Sequence, residues 1–146
     1  MTGDLSSWIG QHAANSPDRI AIRFEGNEIS YRALHARVLG CANYLHNVHG
    51  IDPGDRVAYL GFNTPECVIL LFACAKLGAI YLPLNWRLAL PELDYVLRHA
   101  TPKVLIADAL HQEAAVRLVA GRSGCTSLDC TRVAPVPKDG SVVLPE

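Results

Sequence analysis

Apolar residues in the first fifty positions recur at three- and four-residue steps. Beyond Arg56 they gather into short runs separated by amphipathic stretches. Leu5, Trp8, Ile9 and His12 fall on one side of a short helix starting near Asp4, with Trp8 expected to anchor it. Ile20-Ala21-Ile22-Arg23-Phe24 and Glu28-Ile29-Ser30 flank the tip Glu25-Gly26-Asn27, which predicts a small hairpin outside the main sheet. Leu34, Val38, Cys41 and Leu45 step by four, three and four along a second helix, capped by Ser30 and stopped by Gly50 and Pro53.

From Arg56 the pattern alternates: strand 57–60, helix 65–77, strand 79–84, helix 91–98, strand 104–107, helix 110–120. Such alternation predicts right-handed crossovers that build a parallel sheet with helices on its faces. The helix at Pro65 has a full start signal, with Thr64 as cap, Pro65 at the first helical position and Glu66 where the helix dipole favours negative charge. Its body, Val68-Ile69-Leu70-Leu71-Phe72, is apolar on all sides and needs cover on all sides, more than one sheet supplies. After Gly121 the signals weaken; Ser127-Leu128-Asp129 and Val142-Val143-Leu144 are short strand candidates among Pro135, Pro137 and Gly140. The expected organisation is an α/β domain over residues 1–120 with a looser segment, 121–146, belonging to the same incomplete domain.

Composition narrows the function classes. Half of the 146 residues are hydrophobic and 18% are charged, so the chain is expected to fold rather than stay disordered. Thirteen basic and fourteen acidic side chains nearly cancel and are scattered, which leaves no electrostatic footprint for nucleic acid. Five cysteines, without a disulfide-like spacing, fit a reducing cytoplasm. The start, Met1-Thr2-Gly3-Asp4-Leu5, lacks the pattern of a secretory signal. The longest apolar run, Cys67 to Ala75, falls well short of the roughly 20 residues that span a bilayer.

Few residues have the spacing that chemistry requires. Neither a dinucleotide fingerprint nor a P-loop is present. Gly61-Phe62-Asn63-Thr64 joins a strand to a helix N-terminus, where backbone N–H groups could receive an anion, although a plain turn and cap explain the same residues. His46 and His49 supply two ligands where zinc takes three or four, and Cys125 and Cys130 have no second pair, so no metal site is expected. Asp108 ends a strand, as the phosphorylated aspartate of a receiver domain does. The acidic pair that such a domain needs after its first strand is replaced by Gly61-Phe62-Asn63, and Asp108 is expected to cap the helix from Leu110 instead.

Several segments together resemble one family. Asn15-Ser16-Pro17-Asp18-Arg19, Ile29-Ser30-Tyr31, Gly54-Asp55-Arg56-Val57-Ala58, the run from Ala73 to Leu88, and Lys103-Val104-Leu105-Ile106-Ala107-Asp108 are similar to the N-terminal portion of the AMP-forming acyl-CoA synthetases. The resemblance implies a partial N-terminal subdomain of that fold. It also implies a parent reaction in which a fatty or aryl acid and ATP give an acyl-adenylate and pyrophosphate, and the acyl group then passes to CoA. ATP, magnesium and CoA are thus implied for a complete enzyme and none of them for this chain alone.

The family's phosphate-cradling loop, of the type Tyr-Thr-Ser-Gly-Thr-Thr-Gly-x-Pro-Lys-Gly, finds only a weak echo in Ser123-Gly124-Cys125-Thr126-Ser127, which lacks the second glycine and the lysine. The catalytic lysine is missing as well, so no catalytic residue is expected and the chain alone should be inactive. Arg87 is the one residue that carries over. It holds the arginine position of the family's Pro-Leu-Asn-Pro-Arg-Leu loop, which in some CoA ligases lies near the nucleotide end of CoA, and its planar fork suits phosphate. The structural alternative pairs Arg87 with Glu92, and Trp86 stands where the family usually has proline.

The expected partner is the remainder of a synthetase or a complementary fragment. Exposed apolar surface and an open sheet edge should make the isolated chain self-associate. Two other readings remain open at this point, a stand-alone non-catalytic binding or assembly module and a receiver-like signalling domain.

Overall fold

Two apolar cores form on opposite faces of one parallel sheet, because alternate residues of its central strands point to opposite sides. The computed structural model describes residues 4–134. Helix α1 (Leu5–Asn15) precedes a hairpin of β1 (Ile20–Phe24) and β2 (Asn27–Ser30), followed by the long helix α2 (Tyr31–His49). Then come β3 (Arg56–Leu60), α3 (Pro65–Leu77), β4 (Ile80–Pro83), α4 (Leu90–Ala100) and β5 (Val104–Ala107). A 3-10 turn (Ala109–His111) leads into α5 (Gln112–Val119), and β6 (Thr126–Asp129) and the single-turn α6 (Cys130–Val133) complete the described chain.

The sheet runs in the order β4-β3-β5-β6, all parallel, and the hairpin stands apart as expected. Val57, Tyr59, Val104 and Ile106 face the core built with α1, α2 and α3. Ala58, Leu60, Leu105 and Ala107 face the core built with α4 and α5. All eight are nearly inaccessible, and burying each large aliphatic side chain contributes about 1.5–3 kcal/mol. The chain leaves β3 in one direction through α3 and returns over β3 to β5 through α4. A right-handed crossover that reverses direction must use the other face. Connections from the adjacent strands β3 and β5 therefore depart to opposite faces, opening a crevice at the carboxyl edge between them.

The expected boundaries hold to within two residues for most elements. The stretch expected as one helix over 110–120 divides into the 3-10 turn and α5. Ser30 caps α2 by accepting from the Ala33 N–H at 3.2 Å. Two local expectations are corrected. Trp8 does not anchor α1: it is 52% exposed, and Ile9 is the residue that reaches the core, because the helix turns only one edge of the apolar stripe toward α2 and α3. Thr64 occupies the cap position of α3 without a capping bond, its hydroxyl lying 3.9 Å from the Cys67 Sγ. The body of α3 is left partly uncovered, in line with an all-apolar helix that one sheet does not cover: Leu71 is 37% exposed while Ile69, Leu70, Ala73 and Cys74 are buried. The strand candidate 142–144 lies outside the described residues.

Candidate functional site at the carboxyl edge

Three loops meet at the crevice, each following a strand. After β3 come Gly61, Phe62 and Asn63; after β4 come Asn85, Trp86 and Arg87; after β5 come Asp108 and the turn to His111. Asp108 joins two of them. Its Oδ2 accepts the Phe62 N–H at 2.8 Å, while Oδ1 accepts the His111 N–H at 3.0 Å and faces the His111 Nδ1 at 2.5 Å. A carboxylate offers only acceptors, so the proton of the imidazole sits on Nδ1. The Tyr59 hydroxyl donates to the Phe62 carbonyl at 2.9 Å, and the Cys67 thiol donates to the same oxygen at 3.2 Å. Burial raises the Tyr59 phenol far above its ordinary range, which keeps it a donor there.

These bonds fix an aromatic surface. Phe62 meets Trp86 edge-on with centroids 4.8 Å apart and meets His111 edge-on at 5.1 Å; Trp86 and His111 lie 6.1 Å apart. The Arg87 guanidinium rests over the Trp86 ring, 4.7 Å from its centroid. Among the described residues Arg87 forms no ion pair, and its fork stays exposed to solvent. The pairing with Glu92 does not occur, because the Glu92 carboxylate turns back to accept the Ala89 N–H at 2.8 Å at the start of α4. Trp86 is accommodated where proline was expected by a turn in which the Asn85 side chain accepts the Arg87 N–H at 3.1 Å.

Other candidates are accounted for in place. Within the candidate anion-receiving loop Gly61–Thr64, the Phe62 N–H is already taken by the Asp108 carboxylate. The same commitment removes the free carboxylate that a receiver domain needs from Asp108. His46 packs its Nδ1 against the Ile51 carbonyl at 3.0 Å, and His49 stacks edge-on against Tyr44. Of the weak echo of the phosphate loop, Ser123, Gly124 and Cys125 lie in the loop between α5 and β6, with Gly124 at φ 81°, and Thr126 and Ser127 open β6. The residues that sequence reasoning missed are Phe62, Trp86 and His111 as a group. The available signal was an aromatic or imidazole ring shortly after each of three parallel strands.

The family model for AMP-binding enzyme matches residues 9–141. The chain belongs to that family. A feruloyl-CoA synthase from an Amycolatopsis species is 45% identical over 118 residues, 81% of this chain and 24% of that protein. An indoleacetate–CoA ligase from Aromatoleum aromaticum is 45% identical over 105 residues, 72% of this chain and 20% of that protein. The chain thus spans about a quarter of the length of the curated relatives it matches. A putative long-chain-fatty-acid CoA ligase from Rhodopseudomonas palustris superimposes with a TM-score of 0.82 at 28% identity, over 99% of this chain and 38% of that one. A Mycobacterium tuberculosis fatty acyl CoA synthetase gives 0.79 at 26% identity, over 97% and 29%. As a resemblance to this family implied, the chain is an α/β piece of the N-terminal portion of an acyl-CoA synthetase fold.

No helix among the described residues is long and apolar enough to cross a membrane.

Proposed function

We propose that this chain is the N-terminal part of an ATP-dependent fatty or aryl acid–CoA ligase, residues 1–120 with a trailing segment 121–146. In it the chain supplies scaffold and one CoA phosphate contact, Arg87, while nucleotide triphosphate is gripped and the acid activated by later sequence. The observation that carries this reading is at the carboxyl edge: Asp108 takes the Phe62 N–H of the loop after β3, and Arg87 stands open beside it. Two CoA ligases at 45% identity support the acid–thiol chemistry, and the feruloyl- and indoleacetate-named relatives favour an aryl acid. Phosphate meets the planar fork in a bidentate manner that lysine cannot reproduce.

The remainder of the synthetase is the partner. Leu71 on α3 and Ile80 on the edge strand β4 are 37% and 48% exposed, apolar positions that later sequence would cover and that would make the isolated piece self-associate. Five free thiols favour a reducing compartment such as the cytoplasm. The test is pyrophosphate release from ATP and magnesium by the purified 146-residue chain with fatty and aromatic acids. No release above a heat-killed control is expected, and turnover would refute the division of labour. Restored release on adding the missing remainder as a separate polypeptide, weakened at sub-saturating CoA by Arg87→Ala, would support it.

A further inference from the structure

We infer that Asp108 is a positioning residue for Arg87, acting through His111 and Phe62 on the Trp86 indole that carries the guanidinium. The backbone explains why such a device is needed. The Leu84 N–H bonds to the Tyr59 carbonyl at 2.8 Å and ties the end of β4 to β3. Beyond it, the hydrogen bonds of the Arg87 and Leu88 N–H groups return to Asn85, within the same loop. Among the described residues, no hydrogen bond then holds Trp86 or Arg87 to the rest of the crevice. What holds the loop is ring contact: Trp86 against Phe62 at 4.8 Å and beside His111 at 6.1 Å.

Both of those rings are set by one carboxylate. Oδ1 of Asp108 takes the His111 N–H and Nδ1, and Oδ2 reaches 46 residues back in the chain to the Phe62 N–H. Capping the 3-10 turn requires only the first oxygen. The second oxygen does something a cap does not, since it locks the loop after β3 to the loop after β5. With side chains only 13% and 16% exposed, Asp108 and His111 form a rigid floor, while Phe62 and Trp86, each 38% exposed, form the surface above it. Gly61 makes the arrangement possible, because a Cβ there would lie 2.6 Å from both the Asp108 Oδ2 and the Tyr59 hydroxyl.

The functional consequence rests on the reading of Arg87 as a CoA phosphate contact; the positioning itself does not. In a Trp8→Phe chain Trp86 is the only indole, because the sequence has two. Asp108→Ser keeps a hydroxyl cap for the turn and loses the bridge to Phe62. The near-UV circular dichroism of Trp86 is expected to collapse toward that of the urea-unfolded chain, with the far-UV spectrum and a cooperative melt retained. His111→Leu, whose backbone keeps the capping bond, should lose the same band, and it decides the matter if Asp108→Ser fails to melt cooperatively. A parent-like Trp86 band in either cooperatively melting variant overturns the inference. Titration with coenzyme A, followed by Trp86 emission, separates the two claims. Asp108→Ser should bind about two- to fivefold more weakly, the loss of one exposed cation–π arrangement. Parent-like binding by Arg87→Ala would sink the phosphate role of Arg87 and leave the positioning to be judged on the dichroism alone.

Discussion

Gly61→Ala is the sharpest perturbation of the crevice, because the added methyl has nowhere to go. Its Cβ would lie 2.6 Å from the Tyr59 hydroxyl, 2.6 Å from the Asp108 Oδ2 and 2.7 Å from the Asp108 Cγ, where ordinary contact begins at 3.4 Å. Gly61 does not sit at positive φ, so alanine meets no backbone penalty and the cost is one of space. Neither neighbour yields freely. Tyr59 is 2% exposed and bonded to the Phe62 carbonyl, and Asp108 is held by Phe62 and His111. Moving the carboxylate away stretches its 2.8 Å bond to the Phe62 N–H past the range of a good hydrogen bond. Overpacking of this kind costs about 1–3 kcal/mol, and a bond to a charged acceptor contributes about 1.5–3 kcal/mol. The same displacement relieves one and breaks the other, so a net loss of about 2 kcal/mol is expected. For a chain of this size that lowers Tm by roughly 7 °C. Asp108→Ala removes half of the clash, so the second substitution should cost only about 1 kcal/mol in that background, a coupling of about 1 kcal/mol. Urea and thermal melts of the four chains measure the cycle. A Gly61→Ala penalty under about 0.5 kcal/mol, or additivity within about 0.3 kcal/mol, would refute the close approach of the three groups.

Two further outcomes follow from the buried titratable groups. Burial holds the Cys41 thiol well above the usual thiol range and pushes Cys74 and Cys130 up to about 12, so near pH 8 all three should resist iodoacetamide until urea is added. Mass spectrometry showing their alkylation in the folded chain at the rate of the unfolded one would contradict the core assignment. His35, packed against Gly10 of α1, is lowered from 6.5 first by desolvation and then by Lys76. Its folded form resists protonation, so the stability it contributes is full above pH 6.5 and declines as pH falls through the window below 6.5, where the unfolded chain takes up the proton first. His35→Gln should therefore flatten the fall of Tm on acidification, and an unchanged pH profile would dismiss the assignment.

Much of the fold was legible along the chain because its signals are local. The Ser30 cap, Pro65 at the first turn of α3, and the glycines that end α2 and α3 each act within a few residues of themselves. Alternating strands and amphipathic helices imply a parallel sheet under general crossover rules. The family followed from runs such as Leu82 to Leu88 and Lys103 to Asp108. Where sequence reasoning failed, a side chain had two geometrically allowed choices. Trp8 and Ile9 both lie on the apolar stripe of α1, and only the docking angle against α2 and α3 selected Ile9. Glu92 could reach Arg87 or its own helix start, and the nearer backbone N–H at Ala89 prevailed.

The candidate site divides along the same line. Arg87 was visible from its loop, whereas the group that holds it was not, since Phe62, Trp86 and His111 are separated by two helices and two strands of chain. The amino-acid sequence by itself determined the elements, the parallel sheet and the family, because those depend on periodicities and caps read over a few turns. Only tertiary structure decided that strand order would reverse at β3 and bring three loop tips together. It also decided that one carboxylate, Asp108, would close the crevice and brace its rings, since hydrogen bonds between residues far apart in the chain are set by how helices pack on the sheet.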